Sequence, residues 1–116
     1  MAKARSAGDL KERVAFDARV PGDDGAGNVV DDWAQRFQRR AGFIHLRGGE
    51  SVMASRLAGK HTQVIFIRRD SETREITTEW RVRNARDGTI YNIADITPSP
   101  DGAWLDLLCE SGVDAG

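Results

Sequence analysis

At 116 residues, 40% apolar and 7% aromatic, the chain has the length of one domain with its own small core. With 30% charged residues and a formal net charge of −1 it does not read as disordered, and nothing approaches the roughly 18 consecutive apolar residues of a membrane helix. A lone cysteine, Cys109, rules out an internal disulfide and a cysteine-based metal site, so a reducing compartment is the expected setting.

The expected organisation is a single domain over residues 1–116, with a core from about 8 to 111 and loose tails. The basic N-terminus, Met1 to Gly8, has no apolar stretch behind it and does not read as a secretory signal. Basic residues are lopsided, 14 arginines against 3 lysines. The rigid arginine fork suits subunit interfaces or a polyanion, although a GC-rich genome writes the same bias.

In chain order, Glu12 to Val20 alternates strictly, with Val14, Phe16, Ala18 and Val20 on one face, which predicts a half-buried strand. Pro21 to Asp32 (PGDDGAGNVVDD) predicts a mobile loop. Its Asp23, Asp24, Asn28, Asp31 and Asp32 are hard oxygen donors, but their spacing is not that of an EF-hand and the closing glutamate is missing, which favours a solvated hairpin loop over a calcium site. Trp33 to Arg47 predicts one long strand, bulged near Ala41-Gly42. Glu50 to Ala58 carries Met53 and Leu57 at i, i+4 with Gly59 beyond, which predicts a short helix.

His61 to Arg69 contains the unbroken apolar run Val64 to Ile67, which requires cover on both faces, from the rest of the domain or from another subunit. Asp70 to Glu79 is polar and predicts a connection or weak edge. Trp80 to Asn84 and Thr89 to Ile96 predict strands joined by a tight hairpin at Asp87-Gly88, two residues that tolerate positive φ. Pro98 to Gly102 predicts a turn, and Ala103 to Glu110 alternates as a final strand with Leu105, Leu107 and Cys109 on its apolar face. The predicted class is therefore all-β: a small antiparallel barrel or sandwich of about six strands, with one short inserted helix and long loops.

Catalytic constellations are not apparent. His45 and His61 lack two further ligands at workable spacing, leaving only Glu50 or Asp70 to offer. Ser51 and Ser55 stand in neither a nucleophile elbow nor an S-x-x-K motif, and no glycine pattern builds a phosphate loop. Neither catalysis, a cofactor nor a metal is expected. A nucleic-acid reading has Arg36, Arg39, Arg40, Arg68, Arg69, Arg81, Arg83 and Arg86 interleaved with Trp33, Phe37 and Trp80, as on the stacking surface of a single-strand-binding barrel. The sequence pI near 6.1 argues against it.

Four ordered motifs carry a resemblance. Gly8-Asp9-Leu10 leads into Glu12-Arg13-Val14; a strand runs into Gly48-Gly49-Glu50 and a short helix; His61-Thr62 opens a strand ending at Arg68; and Gly88-Thr89-Ile90-Tyr91-Asn92-Ile93 closes a hairpin. In order and spacing, over residues 8 to 111, the chain resembles the head-tail joining, or head closure, proteins of tailed bacteriophages, including those of gene transfer agents. It departs from their pattern at Arg40-Ala41, where an aromatic often precedes the alanine, and in the charged stretch Asp70 to Glu79.

The resemblance implies a virion neck component made in the bacterial cytoplasm. It implies a ring of six or twelve copies between the portal-adaptor assembly and a tail terminator or tube protein, with DNA passing through and no membrane. It also implies a stopper role in retaining packaged DNA. In such a ring the candidate interaction loops carry Asp23, Asp24, Asn28, Asp31, Asp32, Arg47, Glu50, Arg56 and Lys60, and the candidate inter-subunit charges are Arg68, Arg69, Arg81, Arg83 and Arg86. Acidic residues facing a channel would repel DNA. The competing expectation is a free single-stranded nucleic-acid-binding barrel, whose affinity would fall steeply with salt.

Overall fold

Strand periodicity dominates the architecture. The structure, a computed structural model, describes residues 6–23, 29–45 and 61–111. Six strands follow one another: β1 (Glu12–Asp23), β2 (Val29–His45), β3 (His61–Arg68), β4 (Arg81–Asn84), β5 (Ile90–Pro98) and β6 (Trp104–Ser111). They close into an antiparallel barrel in the order β1-β2-β3-β6-β5-β4, with β4 returning to pair β1. Closure removes most of the unpaired edges that an open sheet of this size exposes. The predicted helix at Glu50 to Ala58 and the tail from Gly112 lie outside the described residues. Among those residues the only helical turns are two short 3-10 pieces, Ala7–Asp9 and Thr73–Glu75.

Alternation places the core. Val14 and Phe16 from β1, Ile65 and Ile67 from β3, Val82 from β4, Tyr91 and Ile93 from β5, and Leu105, Leu107 and Cys109 from β6 meet inside the barrel. Each fully buried large side chain stabilises the fold by about 1.5–3 kcal/mol relative to exposure. Ile76, in the connection between β3 and β4, joins the same cluster, so Asp70 to Glu79 is a connection, and one that helps seal the barrel. In the run Val64 to Ile67, Ile65 and Ile67 point inward and Phe66 packs outside against Trp104 and Leu10, while Val64, paired with the exposed Ile44, is only half-buried on the outer face. Leu10 belongs to the N-terminal segment, whose turn is fixed by the Ser6 amide donating to Asp9 Oδ2 at 2.9 Å.

Several boundaries differ from the sequence expectation. Pro21 to Asp23 and Val29 to Asp32 are strand, paired as Asp23↔Val29 through Val20↔Asp32, so the anticipated loop is mostly the far end of a long hairpin. Proline is tolerated there because only β2 pairs with this part of β1. The β2 bulge lies at Arg36, the extra residue between Phe16↔Phe37 and Asp17↔Gln35. Gly42 serves a different end: a Cβ there would collide with the ring of Phe66, its cross-strand partner. The β4–β5 hairpin is a four-residue loop, Ala85 to Gly88, closed by the Gly88 amide donating to the Asn84 carbonyl at 2.8 Å. Of the two turn residues Asp87 and Gly88, Gly88 alone adopts positive φ, at 78°; Asp87 instead accepts the Thr89 amide at 2.9 Å through Oδ1.

Candidate interaction surface

The outer wall formed by β2, β1 and β4 gathers several charged side chains by register. Register determines its membership. Arg13 lies opposite Arg40, Asp17 opposite both Gln35 on β2 and Arg81 on β4, and Arg19 opposite Trp33. Arg83 faces Ala15 from β4. All these residues alternate with the inward Val14, Phe16 and Val82.

Asp17 organises the middle of this wall. It lies on the polar face, as its place in the alternation requires, yet it is only 2% exposed because two arginines fold over it. Arg81 Nε donates to Asp17 Oδ2 at 2.9 Å, and Arg83 donates to both carboxylate oxygens at 3.3 Å. Arg83 also donates to Gln35 Oε1 at 2.9 Å, tying β4 across β1 to β2. Burial pushes the Asp17 carboxyl upward, but the hydrogen bonds and charges of Arg83 and Arg81 outweigh it and hold the group below the ordinary carboxylate range. A buried carboxylate with two guanidinium partners is satisfied and ionised.

Trp33 lies beside this cluster with the guanidinium carbons of Arg81 and Arg19 at 4.5 and 4.7 Å from its ring centroid. Phe37 packs on Phe16 and Trp80, and their rings carry Arg39 at 4.5 Å and Arg36 at 5.6 Å. The three aromatics of the nucleic-acid reading are thus engaged by core residues or by the chain's own arginines, which leaves no open stacking platform among them.

Arg39 is held by Asp70 at 3.1 Å and by Glu72 at 2.6 Å. The Asp70 carboxylate also accepts the Glu72 and Thr73 amides at 2.9 Å, fixing the 3-10 turn against β2. Burial raises the Asp70 carboxyl, but the Thr73 amide and Arg39 more than offset this and leave it lowered.

The residues expected to act between subunits separate into distinct environments. Arg81 and Arg83 are engaged by Asp17, and Arg86 pairs with Glu12 at 3.2 Å, so these three charges work first within the chain. Arg68 stacks over Trp104 at 4.9 Å, while the Arg69 amide donates to the Ala103 carbonyl at 2.9 Å. Of the candidate loop residues, Asp23, Asp31 and Asp32 fall at the far end of the β1–β2 hairpin. Asp24, Asn28, Arg47, Glu50, Arg56 and Lys60 lie outside the described residues.

Sequence reasoning passed over Asp17, Arg19 and the opposed Arg13–Arg40 pair. The alternation of β1 with a basic strand opposite it was the available signal, but the pairing of β1 with β4 across more than sixty residues was not readable. Cys109 is inside the barrel, where burial pushes its thiol up to about 12, so it is a packing group with negligible thiolate at neutral pH. No cluster of three or more metal-ligating side chains forms among the described residues.

A match to the model of the phage head completion protein family runs over residues 5–112, nearly the whole chain. The chain belongs to that family. Head completion proteins are structural proteins of the phage particle, so membership places this chain among the structural proteins of the phage head-tail region. The barrel is similar to the solution structure of protein SF1141 from Shigella flexneri 2a, with a TM-score of 0.69 at 20% identity, over 95% of this chain and 99% of that one. It is also similar to a chain in the virion of a native gene transfer agent particle, with a TM-score of 0.60 at 21% identity, over 90% and 97% of the two chains. At these identities the two likenesses establish a shared fold. No curated protein matches the sequence significantly.

Proposed function

We propose that this head completion protein is a neck component, one subunit of a ring seated between the portal-adaptor assembly and the tail, which helps retain packaged DNA. The observation that carries this is the family match over residues 5–112, supported by the likeness of the barrel to a chain of a gene transfer agent virion. The geometry agrees with a structural rather than a catalytic role: its strongest polar groups, Asp17, Arg81, Arg83 and the Arg39–Asp70–Glu72 set, brace strands against one another. A ring of six or twelve copies would use the β1–β2 hairpin end and the segment from Arg47 to Lys60 to meet neighbouring proteins, with DNA passing through the channel.

The test is electron microscopy of particles from a strain lacking the gene. Heads without tails, or heads emptied of DNA, are the expected products. Full, tailed particles at normal yield would overturn the neck assignment.

A further inference from the structure

Arg13 and Arg40 stand directly opposite each other on neighbouring strands, both exposed, and the exposed Lys11 lies two residues before Arg13. Like charges in register across an antiparallel pair repel one another, so sheet stability gives no reason to place them together. None of the three side chains has an ion-pair partner among the described residues. The carboxylates nearest to Arg13 in sequence are committed elsewhere: Asp9 accepts the Ser6 amide at 2.9 Å, Glu12 pairs with Arg86 at 3.2 Å, and Asp17 is held by Arg81 and Arg83. Beside Arg40, Asp70 and Glu72 are taken by Arg39. In a chain with net charge −1, this corner of the barrel is a local excess of positive charge.

The surroundings of the corner select the counter-charge that fits it. Next on the same face is the pair Ala15 and Gln38, the β4 neighbour bonded to Arg13 is Ala85, and β2 continues through Gly42. All four are small or neutral. A protein interface sets apolar or aromatic anchors at its centre and leaves charge to the rim. The one large apolar side chain exposed among the described residues, Ile44, is four residues along β2 from Arg40, roughly 13 Å away. A nucleic-acid backbone makes no such demand: it is held by arginine and lysine donors that reach phosphate oxygens. Two guanidinium forks about 5 Å apart at Cα can each take phosphate oxygens bidentately, and a duplex offers a negative charge every ~1.7 Å of its axis.

We propose that Lys11, Arg13 and Arg40 form a contact surface for the phosphate backbone of duplex DNA. The contact is to phosphate and carries no sequence preference. The isoelectric point near 6.1 describes the long-range field of the whole chain, so one copy binds weakly and loses the duplex quickly as salt rises. This inference deepens the neck reading and rests on it for the source of the DNA: it gives an outer wall of the barrel, apart from the Asp17 clamp, a part in holding the packaged molecule.

The experiment titrates the full chain, labelled with nitrogen-15, with a short duplex of arbitrary sequence over a salt series that begins low. Amide shifts should centre on residues 11–15 and 38–42, and log affinity should fall against log salt with a slope of about −2 to −3. Arg13→Gln and Arg40→Gln should each reduce that slope by about one, whereas Arg40→Lys, which keeps the charge, should preserve it. Arg74→Gln, on the exposed connection between β3 and β4, should leave it unchanged. Shifts centred on another part of the barrel, no binding at the lowest salt, or an equal loss in Arg74→Gln would overturn the proposal. So would a polyglutamate peptide that displaces the duplex at equal charge concentration, which would make the corner a surface for acidic protein. Duplex bound at this corner by a chain whose deletion leaves particles full and tailed would keep the contact and remove the neck assignment. Emptied heads on deletion without duplex binding would remove the contact alone.

Discussion

The barrel has two outer walls that solve the same problem in opposite ways. On the β3–β6 side, Phe66 and Trp104 would face water, and the chain covers them itself with Leu10 from the N-terminal segment and the guanidinium of Arg68. On the β2–β1–β4 side, arginines gather around a single carboxylate, and the Arg13–Arg40 pair keeps its charge. An apolar wall can be closed with local chain because burial is non-directional. A charged wall can be neutralised only by charge of the opposite sign, and here Asp17 supplies it to Arg81 and Arg83.

The largest expected effect falls on the apolar wall. Gly42→Ala drives a methyl group into the Phe66 ring and should destabilise the fold by about 3 kcal/mol, with the companion change Phe66→Leu recovering part of the loss. Thermal unfolding of the single and double variants would check this, and unchanged stability of Gly42→Ala would mean that the ring has another resting place.

Next in size, Phe66→Ala should cost about 2–3 kcal/mol, below the usual range for a deep core because a wall site can partly collapse. Urea denaturation would show whether Leu10→Ala adds less in that background than in the natural chain, as residues sharing one cluster require.

On the charged wall, Asp17→Asn should destabilise by roughly 2 kcal/mol, because it weakens two charge-assisted contacts and leaves guanidinium groups beneath the surface. The carboxyl is lowered in the folded state, so its contribution is present above the ordinary carboxylate range and is lost as pH falls through the folded value. The natural chain should therefore lose its advantage over Asp17→Asn on acidification below about pH 4, seen as converging melting curves. Parallel curves across that range would place the stabilisation elsewhere.

The smallest effect sharpens the contrast most. Arg40→Gln removes a like-charge opposition and should stabilise the chain by a few tenths of a kcal/mol. Calorimetry on dilute protein would check this. Lower stability of Arg40→Gln than of the natural chain would show that Arg40 makes a favourable contact within its own chain.

The two walls also differ in how far the sequence reveals them. Alternation in Glu12 to Val20 and in Ala103 to Glu110 was enough to assign inward and outward faces, and with the turn at Pro98 to Gly102 it pointed to an all-β barrel or sandwich. The demand for double cover over Val64 to Ile67 was legible, and on the outer face it is met within the chain at Phe66, by Trp104 and Leu10, but only in part at Val64. Composition misled at Pro21 to Asp32, because a glycine- and aspartate-rich stretch looks like a loop even where the ladder of the hairpin carries it as strand. Gly42 was singled out for a bulge, whereas a ring packed across the pair is what demands it. Burial of Asp17 was beyond local reading, since it depends on β4 returning to close the barrel. The family resemblance, which rested on motif order, stands.

The extra residue Arg36 lies where β1 changes from two neighbours to one. Below it, β1 is clamped between β2 and β4; beyond it, the hairpin is a free two-stranded lever. A pull along that lever is carried by the β1–β4 rungs from Val14 to Asp17 loaded side by side, the stiff direction of a hydrogen-bonded ladder, with the Asp17–Arg81–Arg83 clamp at their outer end. A push across it meets the Arg36 bulge, where the backbone already bends, and is opposed by side chains alone, the Arg83–Gln35 hydrogen bond and the stacking of Arg81 on Trp33. The hairpin is therefore held along its length by backbone rungs and across its root by side chains.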